Sequence, residues 1–495
     1  MTHYEKLENH FRRISRLNHL DAICGWDQAA MMPPGGSQAR GEALAELALL
    51  VHEQLTAPQL ESWFEAAEGE SLSPEQSVSL AAMKRKWRQA TLLPGDLVQA
   101  KSLAASRCEH EWRSQRQQND WAGFLPNLAE VVRLAREEAQ VRAAHAGVSP
   151  YDALLDLYEP GISSAQLDSL FGDLRSWLPE LILQVEERQQ SRTYQVPEGP
   201  FPTEQQKSLG LEVMQLLGFD FNCGRLDVST HPFCGGVPTD VRITTRYDTA
   251  DFMTSLLGVI HETGHARYEQ NLPRQWAGLP VGEARSMGVH ESQSLFFEMQ
   301  LARSRAFTQV LAPLAARVLE RTADPAFAPD NIYRFNTRMK RGYIRVNADE
   351  VTYPAHVILR YEIERALISG DMEAADIPEA WREKMSAYLN LSTAGNFREG
   401  CMQDIHWPLG SFGYFPSYTL GAIYAAQLFA AAERALPDLR ANIAQGELAA
   451  LFQWLDQNIW KRASTVPTAQ LIKDATGEEL NVAHFRRHLE QRYLD

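Results

Sequence analysis

Near the middle of the chain stands His261-Glu262-Thr263-Gly264-His265, a H-E-x-x-H stretch. On a helix, residues four apart project from one face, so the two imidazoles can grip a single metal ion. The residues before them read as such a helix. Met253, Leu256, Leu257 and Ile260 recur at helical spacing and give it one apolar face. Asp248 or Thr249 is the expected cap, and Pro273 the expected stop. Glu262, one position round from His261, falls beside the ion without being aimed at it, where a general base acting on water belongs. Alone, the pattern also fits an ordinary amphipathic helix with two histidines on its polar face, so a third ligand is the discriminating feature.

Metallopeptidases with two histidines and one carboxylate usually take the carboxylate from a later element. Glu269, eight residues past His261, is too far along the same helix to reach the ion. Glu283 lies in Leu279-Pro280-Val281-Gly282-Glu283, which reads as a loop. Glu291 opens a new helical run through Leu295, Phe296, Met299 and Ala302, and a carboxylate early in a helix packing back on the first one fits best. Glu298, two turns further on, is the alternative, with an ordinary solvated helix glutamate as its plainer reading.

The elements that must position these groups are mostly helices. Leu7, Phe11, Ile14 and Leu17 mark a first one, and an Ala/Leu-rich stretch from Gln38 to Leu55 a second. Helices start at Leu72-Ser73-Pro74 and Leu93-Pro94-Gly95, and run from Asn127 to Ala146 and from Ser164 to Gln190. The basic run Lys84-Arg85-Lys86 reads as a solvated face. Pro197 to Pro202 is the most linker-like stretch, so a single domain over 1–495 would hand over between lobes near 195–205.

Between Arg225 and Tyr247 the pattern changes. Leu226 to Thr230 predicts a strand, Cys234-Gly235-Gly236 a turn, and Thr239 to Thr245 a second strand whose Asp240, Arg242 and Thr244 share one face. An exposed strand there would suit an extended peptide, with a local Asp240–Arg242 pair as the plainer reading. Tyr343 to Glu350 is assigned to a helical run that Pro354 interrupts or kinks. Gly400 to Tyr418, rich in glycine and aromatics, reads either as a mobile cleft wall or as core packing. As a cleft wall it would place His406 and Tyr418 to donate to a developing oxyanion.

Composition bounds the rest. With 44% hydrophobic and 22% charged residues the chain can bury a large core. A formal charge of −15 argues against a nucleic-acid binder, because such a surface repels phosphate. The longest apolar run, Leu420 to Ala432, is too short to span a bilayer. Five cysteines without a C-x-x-C pair, and an N-terminus leading into no apolar segment, point to a reducing cytoplasm.

Together these pieces resemble the carboxypeptidase Taq family of metallocarboxypeptidases. The resemblance runs from Trp26-Asp27 to the Tyr418 region. It is carried by His231-Pro232-Phe233, Asp240-x-Arg242-x-Thr244, His261-Glu262-x-x-His265 and His290-Glu291-Ser292-Gln293. Ile344-Arg345-x-x-Ala348-Asp349 and Gly400-x-x-Gln403-Asp404-x-His406-Trp407 complete it. The combination in this order is specific, whereas H-E-x-x-H alone belongs to many families. One departure is Leu295, where many members carry arginine; it touches no assigned role.

The resemblance implies a mainly α, two-lobed body with a deep groove and a small sheet beside the metal, working as a homodimer on peptides. It implies His261, His265 and Glu291 as metal ligands and Glu262 as general base. Arg345 is matched to the terminal carboxylate of the substrate with Arg242 as its rival, and His406 and Tyr418 to transition-state donors. Zinc is the expected ion, with cobalt also accepted by imidazole and carboxylate. Two other readings remain at this level. One is an endo-acting oligopeptidase with the same ligands; the other is a non-enzymatic helical scaffold around a structural metal.

Overall fold

The computed structural model describes residues 1–494. Helix α1 (His3–Ala30) starts at Thr2, whose side chain accepts from the Glu5 amide while the Glu5 carboxylate accepts from the Thr2 amide. Of the set the spacing marks it buries Leu7, Phe11 and Ile14, with Tyr4, and leaves Leu17 half-buried. Helix α2 (Ser37–Leu55) buries none of its residues. Helices α3 (Gln59–Glu68) and α4 (Pro74–Thr91) close with α1 around a core of their own, which Leu279 and Val281 enter from the far side. The basic run on α4 is paired, with Glu68, Asp156 and Glu283 as partners of Lys84, Arg85 and Lys86.

The main core begins with α5 (Gly95–Gln117), α6 (Trp121–Ala146), α7 (Pro150–Leu155), α8 (Ser164–Gln190) and α9 (Thr203–Leu216). The stretch at 195–205 does not divide it. Leu181 and Ile182 before that stretch, Phe201 within it and Leu209 after it share one apolar cluster. The separate core is instead the one formed by α1, α3 and α4.

Three strands follow, β1 (Gly224–Val228), β2 (Cys234–Val237) and β3 (Asp240–Thr245). Their order is β1-β3-β2, with β3 parallel to β1 and antiparallel to β2. The turn expected at Cys234-Gly235-Gly236 is therefore a strand. Val237 pairs with Asp240, so the chain reverses at Pro238-Thr239 instead. The strand expected to be exposed, β3, is the central one, and β1 and β2 are the edges. Val241 and Ile243 face a cluster with Val259 and Ala266 of α10 (Phe252–Asn271), the helix that carries H-E-x-x-H.

Asp251, not Asp248 or Thr249, caps α10 by accepting from the Met253 and Thr254 amides. Asp248 is used one turn earlier, accepting from the Ala250 amide. Helix α11 (Met287–Leu295) continues as a wider π turn over Phe296–Ala302. Then come α12 (Arg305–Val318), α13 (Pro329–Asn336), α14 (Tyr353–Ser369), α15 (Ile377–Leu389) and α16 (Pro416–Ala435). Residues 343–350 are not the expected helix; only a short 3-10 turn, Arg345–Asn347, forms there. Pro354 does not kink a helix but opens one, in the first turn of α14, where its missing N–H has no partner to lose. Four short helices, α17 (Leu439–Ala444), α18 (Ala449–Asn458), α19 (Thr468–Thr476) and α20 (Ala483–Tyr493), finish the chain. Among the described residues no helix is long and apolar enough to cross a membrane.

Candidate active site

The site depends on three helices crossing closely. At Gly264, inside H-E-x-x-H, an added Cβ would lie 2.4 Å from the Gln293 carbonyl oxygen and 2.6 Å from Ser294 Cα. Only glycine lets α11 cross α10 at that distance, and the crossing turns Glu291 toward the two histidines. From the other side, a Cβ at Gly421 of α16 would meet Glu291 Cγ at 2.7 Å, so α16 holds that side chain against α10. Glu291 Oε2 lies 3.5 Å from His265 Nε2 and 4.0 Å from His261 Nε2. One ligand atom from each of the three lies within 4.8 Å of the others.

The remaining imidazole nitrogens are tied off. His261 Nδ1 donates to Glu298 Oε2 at 3.0 Å, and Glu298 Oε1 accepts from Arg303 at 2.7 Å. His265 Nδ1 and His290 Nδ1 are 2.6 Å apart, and His290 Nε2 is 2.9 Å from Glu269 Oε1. Because that carboxylate can only accept, His290 donates from Nε2 and accepts at Nδ1 from His265. In their neutral forms both histidines therefore direct the lone pair of Nε2 at Glu291. This donor set of two imidazoles and a carboxylate, oriented from behind, fits a divalent metal ion.

Burial opposes the charge of His261, but the bond to Glu298 and the charges of Glu291, Glu262 and Glu298 raise it to about 10, so a metal at Nε2 would displace a proton. Burial alone would raise Glu298, but the charge of Arg303 and the bond from His261 bring it down to about 2. Glu291 is likewise held below the usual carboxylate range, because His265, His261 and Arg345 outweigh its burial. Burial takes His265 down to about 4, which leaves its imidazole neutral. Glu262, next to His261, bonds to none of these groups, and burial pushes it up to about 7.

A second constellation faces the first. Arg345 is 5% exposed and lies 4.4 Å over the ring of Tyr418, one turn before Gly421. Its Nε and Nη2 donate to Asp404 Oδ1 at 3.1 and 3.0 Å, while the other oxygen of Asp404 accepts from Arg360 at 2.6 and 2.8 Å. The Arg345 amide donates to Gln403 Oε1 at 2.8 Å, and Gln403 Nε2 donates to the Tyr343 carbonyl. Trp407 Nε1 and the Gly413 amide donate to the buried Glu364 at 2.9 and 3.0 Å. Together these bonds fix both ends of the loop that carries His406. His406 Nε2 is 3.1 Å from the Tyr418 hydroxyl. Burial and the charges of Arg345 and Arg360 hold the imidazole at about 3, so it stays neutral.

A search of protein-family models matches residues 6–493 to the carboxypeptidase Taq (M32) metallopeptidases. The chain belongs to the carboxypeptidase Taq family. Thermostable carboxypeptidase 1 of Thermus thermophilus is 38% identical to it, over 99% of this chain and 98% of that protein. Carboxypeptidase 1 of Bacillus subtilis is 35% identical, over 97% and 96%. Among solved structures, Trypanosoma cruzi metallocarboxypeptidase 1 superposes with a TM-score of 0.98 at 47% identity, over 100% of this chain and 99% of that one. The M32 carboxypeptidase of Deinococcus radiodurans superposes at 0.94 with 31% identity, over 99% and 98%. As an M32 family member this chain is a metal-dependent carboxypeptidase with the expected mainly α fold and small sheet.

Within that family frame, the structure brings His261, His265, Glu291, Glu262, Arg345, His406 and Tyr418 around one region. Asp240 and Arg242 point elsewhere. Arg242 donates to Asp240 at 2.5 and 3.0 Å and stacks 4.4 Å over Trp26, while Asp240 lies 3.5 Å from His19. The pair thus faces α1, on the side of β3 opposite α10. Sequence reasoning missed the roles of Glu269, His290, Asp404 and Arg360. His290 stood in a quoted motif, and its adjacency to Glu291 was the available signal.

Proposed function

We propose that this chain is a zinc carboxypeptidase that releases one residue at a time from peptide C-termini, with His261, His265 and Glu291 holding the ion. The supporting observation is the convergence of those three donors, their outer nitrogens occupied, beside a glutamate that none of them engages. A divalent ion held there supplies Lewis acidity, making a neighbouring water more acidic and polarising a carbonyl oxygen. Glu262 takes the proton of the attacking water and returns it to the leaving amine. Tyr418, held toward His406, donates its hydroxyl hydrogen to the oxygen of the scissile carbonyl as charge develops there.

Arg345 is the group assigned to the terminal carboxylate of the substrate, and Asp404 sets its orientation. Arg242 is the weaker rival because it faces α1. Asp240 and Arg242 act on substrate only indirectly, by joining the sheet to α1. An extended peptide would pair with an edge strand such as β2, because both sides of β3 are taken.

The proposal extends to a homodimer in the cytoplasm. Its support is the resemblance, the unpaired state of all five cysteines and helix α2, which leaves Leu49 and Leu50 exposed. The experiment is metal analysis of the purified protein joined to mass spectrometry of digested peptides. About one zinc per chain, with products shortened residue by residue from free C-termini, is expected. Another metal at full occupancy, or internal cleavage of C-terminally amidated peptides, would overturn the reading.

A further inference from the structure

Beside the metal-binding residues lies a cavity of about 350 Å³, bounded by the first turns of α10, by the segment just past α13 and by the chain around Arg345. Met253 and Leu257 line it, and Leu257 sits one turn before His261 on the same helix face. Ile344 and Asn347, which flank Arg345, line the opposite side. The cavity thus lies one helical turn from His261 and is lined by the chain neighbours of Arg345.

Its polar groups are unevenly satisfied. Two acids line it, and both are spent on local donors. Asp251 accepts from the Met253 and Thr254 amides and the Thr254 hydroxyl. Asp349 accepts from the amides of Lys340, Val351 and Thr352. The donors are only partly spent. Asn336 is 4% exposed, yet neither its amide nitrogen nor its amide oxygen has a partner. Arg341 leaves a buried Nε without an acceptor, whereas the Arg303 Nε faces Glu350 Oε1 at 3.8 Å. Arg338 and Lys340 stand at the rim; Arg338 donates to the Phe335 carbonyl and feels the charge of Asp251, and neither forms an ion pair among the described residues. A buried polar group left unsatisfied is costly, so a wall with this many free donors is built for an acceptor-rich occupant.

We propose that this cavity is a carboxylate subsite that receives an acidic side chain of the peptide substrate. The proposal rests on the carboxypeptidase reading and adds a substrate class to it. A side-chain carboxylate offers only acceptors, which matches the free Arg341 and Asn336 donors, and its charge matches Arg338 and Lys340. Occupancy also reaches the metal-binding residues, since Arg303 holds the Glu298 that orients His261. The same chemistry is available to a free small carboxylate, and the test separates the two sources.

The test uses the metal-loaded protein and the double variant R338Q/K340Q, whose two positions are exposed and leave the buried donors in place. In one arm, kcat/KM is measured on short peptides carrying a single Glu at each of the last four positions, against Gln counterparts. In the other arm, succinate binding is followed by calorimetry at constant ionic strength, a readout independent of turnover. The expected result is a Glu-over-Gln preference of about tenfold or more at one position, falling toward unity in the double variant. Saturable succinate binding that the double variant loses, with no peptide preference, keeps the carboxylate subsite and assigns it to a free anion. Equal rates on every Glu and Gln pair, with no succinate binding, would overturn the proposal and leave the donors to water. A preference or a binding event unchanged in the double variant would overturn it equally. Failure of the carboxypeptidase reading itself would show separately, as absence of cleavage on all peptides.

Discussion

His261 Nδ1 donates to Glu298 Oε2 across 3.0 Å, and that bond decides which nitrogen of the imidazole is left for a metal. Glu298 is fixed in turn by Arg303. Partners behind a ligand of this kind are worth about 10–100-fold in metal affinity. Glu298→Ala is therefore expected to lose metal to a chelator about 10–100-fold more readily than wild type. Glu298→Gln, which keeps an acceptor oxygen, is expected to recover part of that loss. Equal chelator resistance in all three proteins would remove Glu298 from the ligand support.

Arg345 is the group proposed to recognise the free C-terminus. Truncating one member of a buried charge pair costs about 2–5 kcal/mol. Arg345→Ala should thus lower kcat/KM on free peptides by about 30-fold or more. C-terminally amidated peptides should be poor substrates for wild type and lose little more in the variant. Asp404→Asn, which loosens the guanidinium without removing it, should raise KM on free peptides more than it lowers kcat. Equal losses on free and amidated peptides would take Arg345 out of the site.

Much of this was legible because it is local. Helical spacing located α1 and the H-E-x-x-H helix, Ala/Leu-rich composition α2, and the expectation of a carboxylate on a helix folding back pointed to Glu291, which the structure brings within 4.8 Å of His261 and His265. What escaped was long-range. Glu298 sits beside the three proposed ligands as the acceptor for His261. Arg345 has an acid four residues on in sequence, yet its partner is Asp404, 59 residues away. The segment 343–350 has helical composition, but Gln403 bonds to the Arg345 amide and the Tyr343 carbonyl, taking groups a helix would need. Cys234-Gly235-Gly236 reads as a turn until β3 is there to pair with it. In each case the deciding partner lies outside any window from which local pattern is read.

On the proposed mechanism Tyr418 stabilises developing negative charge. Removing one donor of this kind costs about 100- to 1,000-fold in kcat. Tyr418→Phe is expected to lower kcat within that range with KM nearly unchanged. A change confined to KM would make Tyr418 a substrate contact only.

Glu350 joins the C-terminal helix α20 to the core through Arg492 at 2.8 Å and His488 at 2.6 Å. Burial opposes its ionisation, but Arg492, His488 and Arg303 bring its pKa down to about 2, from 4.5. A carboxyl with a depressed folded pKa contributes stability above its unfolded pKa and loses it as pH falls through the folded one. The stability difference between wild type and Glu350→Gln should therefore be constant above pH ~5 and shrink between about pH 4.5 and 2. At neutral pH the variant should be less stable by about 3 kcal/mol, the size expected for breaking a buried pair. Denaturant titrations at several pH values check this, and a difference that grows on acidification would contradict it.

The most direct test of the account is Glu262→Gln, measured for metal content and peptide turnover on the same preparation. Glu262 contributes no donor to the metal cluster, so the variant should keep wild-type metal stoichiometry. It has lost the group that accepts and returns the proton, so its kcat should fall by about 100-fold or more. Full metal with turnover near the wild-type rate would contradict the assignment of Glu262 as the base, and loss of the metal would contradict its exclusion from the ligands.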